Sequence, residues 1–147
     1  MPIAPASVAD ETSIRQLLEP SGLPTSDLTP ELLQHFLVWR EGATLTAVIG
    51  LELLGDTALL RSLAVSGTRQ GGGIGRQMVQ AAETLARNHG IGTLYLLTTT
   101  AERYFAGLGY RHTPRDAAPP ALRATPQFSS LCPASSSFML KDLRAAA

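Results

Sequence analysis

The chain has 147 residues, of which 44% are hydrophobic and 16% are charged, and its formal net charge is zero. This balance predicts one folded domain, residues 1–147, and argues against a disordered chain and against a nucleic-acid partner, which requires clustered basic residues. The sequence has no apolar run long enough to cross a bilayer and no signal-peptide pattern, and its single cysteine, Cys132, excludes an internal disulfide and a cysteine-based zinc site. We therefore expect a cytoplasmic protein with no membrane partner and no metal.

The first part of the chain predicts a strand and two helices separated by a loop. A strand at residues 3–6 is followed by a helix that ends before Pro20. Residues 19–30 are dense in Pro, Gly, Ser and Asp, which is typical of a loop. Thr29 suits the N-cap and Pro30 the first helical position, so a second short helix begins there.

Three strands follow, with short turns between them. Residues 36–40 and 44–54 read as two strands, and a turn at Gly55 leads into a central strand at residues 59–65. Strands joined by short turns form an antiparallel meander. A later strand at residues 93–97 must return parallel to the central strand, because a helix separates the two in the chain.

The segment between those parallel strands carries most of the functional signal. The apolar run of the central strand, broken by Arg61 and Ser62, ends at Val65, and four glycines follow within five residues: Gly71, Gly72, Gly73 and Gly75. Apolar residues then recur on one helical face, namely Ile74, Met78, Ala81, Ala82 and Leu85, and Gly90 stands at the C-cap.

A glycine turn that opens a helix leaves unpaired backbone N–H groups at the positive end of the helix dipole, where a phosphate can bind. The loop lacks the Gly-Lys-Ser/Thr of a Walker A motif, and Arg76 stands where a dinucleotide fingerprint needs its third glycine. The alternative is a tight strand-to-helix turn without a ligand.

The C-terminal part predicts short elements around an irregular stretch. They are a helix at residues 101–108 closed by Gly109, a strand at 110–113, an irregular segment at 116–126 with one helical turn, a last strand at 135–140 and a frayed tail at 144–147.

Two motifs together resemble the GNAT superfamily of N-acetyltransferases. The spacing Gln70-x-x-Gly73-x-Gly75 after Leu-Ala-Val resembles its pyrophosphate loop, and TTTAERYFAGLGY at residues 98–110 resembles its helix with Ala-x-x-Phe-Tyr before Gly-Phe or Gly-Tyr. The resemblance covers residues 44–112. It implies a mixed α/β (α+β) fold, with a mostly antiparallel sheet, helices on both faces and one parallel pair of strands that splay apart.

A closer resemblance extends over nearly the whole chain. The strings LYLLTTTAERYF and ALRATPQFSSLCPASSSFMLKDL, with GLP in the first loop, are similar to short N-acetyltransferases of arsenic-resistance operons and to N-acetylglutamate-synthase-like acetyltransferases. This similarity implies a small, amino-acid-like amine as acceptor, with a toxic or arsenic-containing analogue as one candidate. Members of the superfamily often dimerise, so a homodimer is a further expectation.

The resemblance implies acetyl-CoA as cosubstrate, without a metal. It assigns to the coenzyme the end of the central strand, the glycine loop, the start of the helix and one later threonine: Leu63, Ala64, Val65, Gln70, Gly71, Gly72, Gly73, Ile74, Gly75, Arg76 and Thr98.

Proton transfer is where the chain departs from the superfamily pattern. Many members use the second aromatic of Phe-Tyr to protonate the leaving thiolate, but here the order is reversed, with Tyr104 before Phe105. One residue on a helix turns about 100°, so Tyr104 is either a displaced proton donor or a core aromatic. Water, or a threonine among residues 98–100, is an alternative donor.

The remaining candidates are polar residues near the central strand. Glu52 is the candidate general base, with a water chain as the alternative. Arg61, which interrupts an apolar strand, and Arg103 are candidates to bind an acceptor carboxylate. The rival hypothesis is a non-catalytic acyl-CoA-binding or regulatory protein of the same fold, which the missing tyrosine at position 105 supports.

Overall fold

The structure, a computed structural model, describes residues 2–132 and 135–144. Within these ranges the chain forms seven strands, five α-helices and a π-helical turn at Gln127–Leu131. The strands are β1 (Ile3–Pro5), β2 (Phe36–Glu41), β3 (Thr44–Leu54), β4 (Thr57–Val65), β5 (Thr93–Thr98), β6 (Arg111–His112) and β7 (Ser137–Asp142). The helices are α1 (Glu11–Leu18), α2 (Pro30–Leu33), α3 (Ile74–Asn88), α4 (Glu102–Ala106) and α5 (Pro120–Arg123).

All seven strands form one mixed sheet in the order β1-β2-β3-β4-β5-β7-β6. Every neighbouring pair is antiparallel except β4 and β5, which are parallel because α3 carries the chain back between them. The predicted mixed, mostly antiparallel fold is confirmed.

The parallel pair separates along its length, as predicted. Thr57 pairs with Thr93 and Leu59 with Tyr95, and the pairing between the two strands ends there. The remainder of β4, from Leu60 onward, therefore leaves one edge of its backbone without a strand partner. This separation opens the sheet in the middle of the molecule.

A β-bulge in β4 lies just beyond the point of separation. Val48 pairs with Ala64 and Gly50 with Arg61, so two residues of β4 oppose one residue of β3. Ser62, in the bulge, has φ 61°, the left-handed region that non-glycine residues rarely adopt. The bulge changes the direction of the side chains on the central strand at this position.

Helix α3 covers one face of the sheet. Ile74 and Met78 pack with Leu60 of β4 and Leu96 of β5 in the larger hydrophobic core. The predicted apolar stripe is displaced around the helix: Ala81 and Leu85 are half-buried, whereas Val79, Glu83 and Ala86 are buried. Gly90 follows the helix with φ 77°, as its predicted C-cap position requires.

Helices α1, α2 and α5 cover the opposite face. Ile14 and Leu33 pack against Phe36 and Val48 near β2 and β3, and Leu122 packs against β4 and β7 farther along the sheet. Helices therefore lie on both faces, in agreement with the prediction. None of the helices in the described ranges is long and apolar enough to cross a bilayer.

Several element boundaries differ from the predictions. Helix α4 spans only Glu102–Ala106, since the residues up to Gly109 form a closing turn. The last strand, Ser137–Asp142, lies two residues farther along the chain than predicted. The π-helical turn was not predicted at all. Most of the predicted tail, residues 145–147, lies outside the described residues.

Candidate active site

The separation of β4 and β5 forms a cleft of about 270 Å³. Its walls come from both separated strands, from the loop between α1 and α2, from α4 and from the segment before β7. The lining comprises residues 21–24, 60–63 and 96–101, together with Tyr104, Phe105, Leu131, Cys132 and Ser136.

The glycine loop lies in solvent at the start of α3. Gly71 has φ 85° and Gly73 has φ 83°, conformations that a side chain would strain, and Gly73 is the N-cap of the helix. Gln70 folds back so that its Nε2 donates to the carbonyl of Val65 at 3.0 Å. The first backbone N–H groups of α3 have no intrahelical partner, and the loop residues before them are exposed, as anion binding requires.

Tyr104 connects this loop to the cleft. A Cβ atom on Gly75 would lie 2.7 Å from the Tyr104 hydroxyl oxygen, so the tyrosine packs directly against the first turn of α3. Tyr104 is 43% exposed, whereas Phe105 is 7% exposed and packs in the core. The expected alternative of Tyr104 as a core aromatic is therefore wrong, because the neighbouring phenylalanine occupies that position.

The protonation state of Tyr104 follows from its surroundings. Desolvation raises the pKa of its hydroxyl, and the nearby Arg76 only partly offsets this effect. The hydroxyl is consequently protonated at neutral pH and can donate a proton.

Thr98 lies at the end of β5 in the same cleft. Its Oγ1 accepts a hydrogen bond from the backbone N–H of Ala101 at 3.0 Å, which fixes the start of α4. Because the hydroxyl oxygen is the acceptor in this bond, the bond does not use the threonine's own proton.

Arg61 is the centre of a buried charge cluster on the cleft wall. Its Nη1 donates to Asp27 Oδ2 at 2.6 Å and to Glu52 Oε1 at 2.7 Å, and its Nη2 donates to Asp27 Oδ1 at 2.9 Å. Its Nε donates to Ser62 Oγ at 3.0 Å. The side chain of Arg61 is only 1% exposed. Burial lowers the pKa of the guanidinium, but its two carboxylate partners raise it by more, so the side chain stays charged.

The other candidate catalytic and substrate residues lie elsewhere. Glu52 is absent from the described lining of the cleft and sits behind Arg61, in a neighbouring depression with Thr29 and Pro126. Arg103 is exposed on α4 and is not brought to the cleft.

The other predicted coenzyme residues divide into exposed and buried groups. Arg76 is exposed beside the loop, and Leu63 and Val65 are half-buried along the open edge of β4. Ala64 and Ile74 are buried in the two cores, so only their backbone groups can contact a ligand.

A family model described as "Acetyltransferase (GNAT) family" matches residues 9–110. This chain belongs to the GNAT acetyltransferase family. The match includes β4, the glycine loop and α4, so the family predicted from the two motifs is confirmed.

Solved structures share the fold of this GNAT protein. N-acetylglutamate synthase from Neisseria gonorrhoeae, in complex with coenzyme A and N-acetyl-glutamate, has a TM-score of 0.84 and 23% identity, over 96% of this chain and 34% of that one. The Rv2747 protein of Mycobacterium tuberculosis, in complex with CoA, has a TM-score of 0.80 and 20% identity, over 95% and 98% of the two chains. The PaiA N-acetyltransferase of Thermoplasma acidophilum, in complex with coenzyme A, has a TM-score of 0.68 and 15% identity, over 95% and 97%.

This GNAT chain spans about a third of the length of the Neisseria synthase that it resembles. No curated protein sequence matches it. Across residues 2–132 and 135–144, no group of three or more His, Cys, Asp or Glu side chains is placed to hold a metal ion.

Sequence reasoning missed several residues of the GNAT cleft. Asp27 stands in a Pro- and Ser-rich loop whose composition gives no sign that one carboxylate folds inward. Ser62 looks like an ordinary strand residue, and Ser136 is one of three consecutive serines. Cys132 also lines the cleft, and burial raises the pKa of its thiol.

Proposed function

We propose that this GNAT acetyltransferase transfers the acetyl group of acetyl-CoA to the primary amine of a small amino-acid-like compound. The observation that carries the proposal is the continuity between the glycine loop and Arg61. Tyr104 contacts the loop at Gly75 and also lines the cleft, and Arg61 lines the same cleft. A thioester held at the loop would thereby reach an acceptor beside the arginine.

The coenzyme end of this arrangement suits a diphosphate. The loop amides are exposed, the helix dipole is positive there, and Arg76 adds a cation. Arg69, on the same loop, forms an ion pair with Glu41 of β2, so its charge is already compensated. The backbone amides and Arg76 would therefore supply most of the attraction. The open edge of β4 would accept the pantetheine arm in the manner of an added strand.

The acceptor end suits a carboxylate-bearing amine, under one condition. A guanidinium has five N–H donors, and four hydrogen bonds already engage Arg61. An acceptor carboxylate must use the remaining Nη2 donor or displace Asp27. Because Asp27 belongs to the loop over the cleft, acceptor binding and loop position would be coupled.

The proton transfers follow from these positions. The amine nitrogen attacks the thioester carbonyl, the carbon–sulfur bond breaks, and the thiolate takes the Tyr104 hydroxyl proton, which water then replaces. Glu52 is bound to Arg61 and absent from the described cleft lining. We therefore assign Glu52 to holding the arginine, and we expect the ammonium proton to leave through water.

Thiol release from acetyl-CoA tests the proposal directly. The purified chain is assayed with the L-amino acids and with simple amines, and the acetylated product is identified by mass spectrometry. We expect turnover with at least one amino acid that exceeds hydrolysis without an acceptor. Thiol release that no amine increases would overturn the proposed activity.

A second function rests on Phe105, which fills the position where many superfamily members carry the tyrosine. A non-catalytic acyl-CoA-binding or regulatory protein would bind acetyl-CoA in calorimetry but release no thiol with any amine.

The finer substrate assignment is a proposal from sequence resemblance. Comparing glutamate with its toxic and arsenic-containing analogues in the same assay separates a detoxifying enzyme from a glutamate acetyltransferase. The cytoplasmic location and the homodimer also stay predictions.

A further inference from the structure

Buried polar atoms without a hydrogen-bond partner are uncommon in folded proteins, and each one calls for an explanation. Among the described residues, three buried side-chain atoms have no partner: Trp39 Nε1, Gln127 Nε2 and Ser136 Oγ. The last two lie between α5 and β7, a part of the chain from which Leu131, Cys132 and Ser136 line the cleft.

Ser136 is the one of these three that lines the cleft. The residue is 5% exposed, and its backbone carbonyl accepts from Arg115 Nη1 at 3.4 Å, which fixes the main chain. Its hydroxyl has no partner in the described structure. Rotation about χ1 moves a serine hydroxyl between staggered positions without moving the backbone.

Gln127 lies one layer behind the wall. Its Oε1 accepts from the Sγ of Cys132 at 3.4 Å, and Cys132 itself lines the cleft. Because Gln127 is not part of the lining, it supports this wall rather than contacting the cleft.

The charges in the cleft determine what the hydroxyl can bind. Among the described lining residues, Arg61 alone carries a charge, and no carboxylate side chain lines the cleft. An anionic group in the cleft therefore meets no carboxylate in the lining itself, although at the remaining Nη2 N–H of Arg61 it would lie beside Asp27, which binds the same nitrogen. However, Asp27 and Glu52 already compensate Arg61, so a bound carboxylate needs an additional donor.

We propose that the Ser136 hydroxyl donates a hydrogen bond to the carboxylate of the acceptor amino acid, beside the remaining N–H of Arg61. The unpaired hydroxyl is then a binding group that is satisfied only when the acceptor is present. This inference rests on the proposed function and specifies how the acceptor is recognised.

Kinetics of Ser136→Ala with a matched control test this assignment. A hydrogen bond to a charged group corresponds to about 10- to 100-fold in binding. We expect KM for the best L-amino acid of the panel to rise by about that factor, with KM for acetyl-CoA unchanged. The neighbouring Ser135 is exposed, so Ser135→Ala should behave as the wild type.

Two further measurements distinguish a binding role from a structural one. The amine that corresponds to this amino acid without its carboxylate should be acetylated equally well by the wild type and by Ser136→Ala. The melting temperature of Ser136→Ala should be unchanged or higher, because the substitution removes a buried polar group that has no partner.

Each outcome decides the inference. Three results for Ser136→Ala would overturn it, even if the enzyme is active: an unchanged KM for the amino acid, an equal loss of activity with the amine that lacks the carboxylate, or a lower melting temperature than the wild type. If the wild type acetylates nothing, the proposed function fails instead. Calorimetry of L-amino acids with the CoA-loaded protein then tests Ser136 separately. Weaker binding by Ser136→Ala than by the wild type supports the contact. Equal binding by the two proteins, or no binding by either, refutes it.

Discussion

At the scale of single residues, Arg61 illustrates how a charge is accommodated in an apolar strand. Its guanidinium is buried but hydrogen-bonded to Asp27, Glu52 and Ser62, so its positive charge is compensated. Buried ion pairs of this kind contribute little net stability, but breaking one is costly, because the remaining charges stay buried without a partner.

Replacing Arg61 by Met should destabilise the protein strongly. The substitution leaves two nearly buried carboxylates side by side, and we expect the free energy of unfolding at pH 7 to fall by about 3–5 kcal/mol. Urea denaturation measures the change. Arg103→Met, on the exposed face of α4, is the control and should stay within about 0.5 kcal/mol of wild type. Equal unfolding midpoints for the two variants would contradict this account of the cluster.

Tyr104 allows a test of the proton donor at the same scale. If its hydroxyl protonates the thiolate, Tyr104→Phe should lower kcat by about 100-fold, in the range of general acid catalysis, without changing the KM for acetyl-CoA. A variant with the wild-type kcat would show that water or a threonine supplies the proton. Steady-state kinetics on the best acceptor decide between these outcomes.

At the scale of elements, the loop between β4 and α3 depends on backbone conformation rather than on side chains. Gly73 has a positive φ, whereas Gly72 does not, and a Cβ on Gly72 would meet only the Arg69 carbonyl oxygen, at 3.6 Å. Comparing an alanine substitution at the two positions therefore separates the effect of backbone strain from the effect of an added side chain.

Gly73→Ala should bind CoA more weakly than Gly72→Ala. Both variants add one methyl group to the loop, but only the first forces a non-glycine residue into the left-handed region, at a cost of about 1–2 kcal/mol. We expect the Kd for CoA in calorimetry to rise by about tenfold for Gly73→Ala and by less for Gly72→Ala. Equal Kd values would mean that the loop conformation plays no part in binding.

At the scale of the whole molecule, two histidines far apart in sequence come together. His35 precedes β2 and His89 ends α3, yet their rings lie 5.4 Å apart, edge to face. Desolvation and, to a smaller extent, the charge of His89 lower the pKa of His35 below the usual value for histidine. The contact joins the sheet to the C-terminal end of its longest helix.

The depressed pKa of His35 predicts how stability depends on pH. The unfolded chain binds a proton near pH 6.5, before the folded chain does. The contribution of His35 is therefore fully present above pH 6.5 and is lost as the pH falls through the folded-state pKa. His35→Gln should flatten the decline in melting temperature between about pH 7 and 5.5, measured by thermal unfolding at each pH.

The sequence by itself determined the order of most elements, the parallel return of β5, the glycine loop and the family. These features depend on local patterns, namely hydrophobic period, glycine spacing and turn composition, which neighbouring residues encode directly. Gly73 is an example, because a positive φ at a helix start selects glycine at that position.

Only the tertiary structure decided which polar residues meet at the cleft. Asp27 and Arg61 are brought together by chain packing across 34 residues, and no local pattern encodes such a pair. The same is true of Tyr104, whose hydroxyl reaches Gly75 because Phe105 takes the core position, and of Ser136, which is buried and lines the cleft whereas the adjacent Ser135 is exposed. Long-range packing determines the positions of these side chains. Their roles can therefore be inferred only from the tertiary structure, in which they meet at the cleft between β4 and β5.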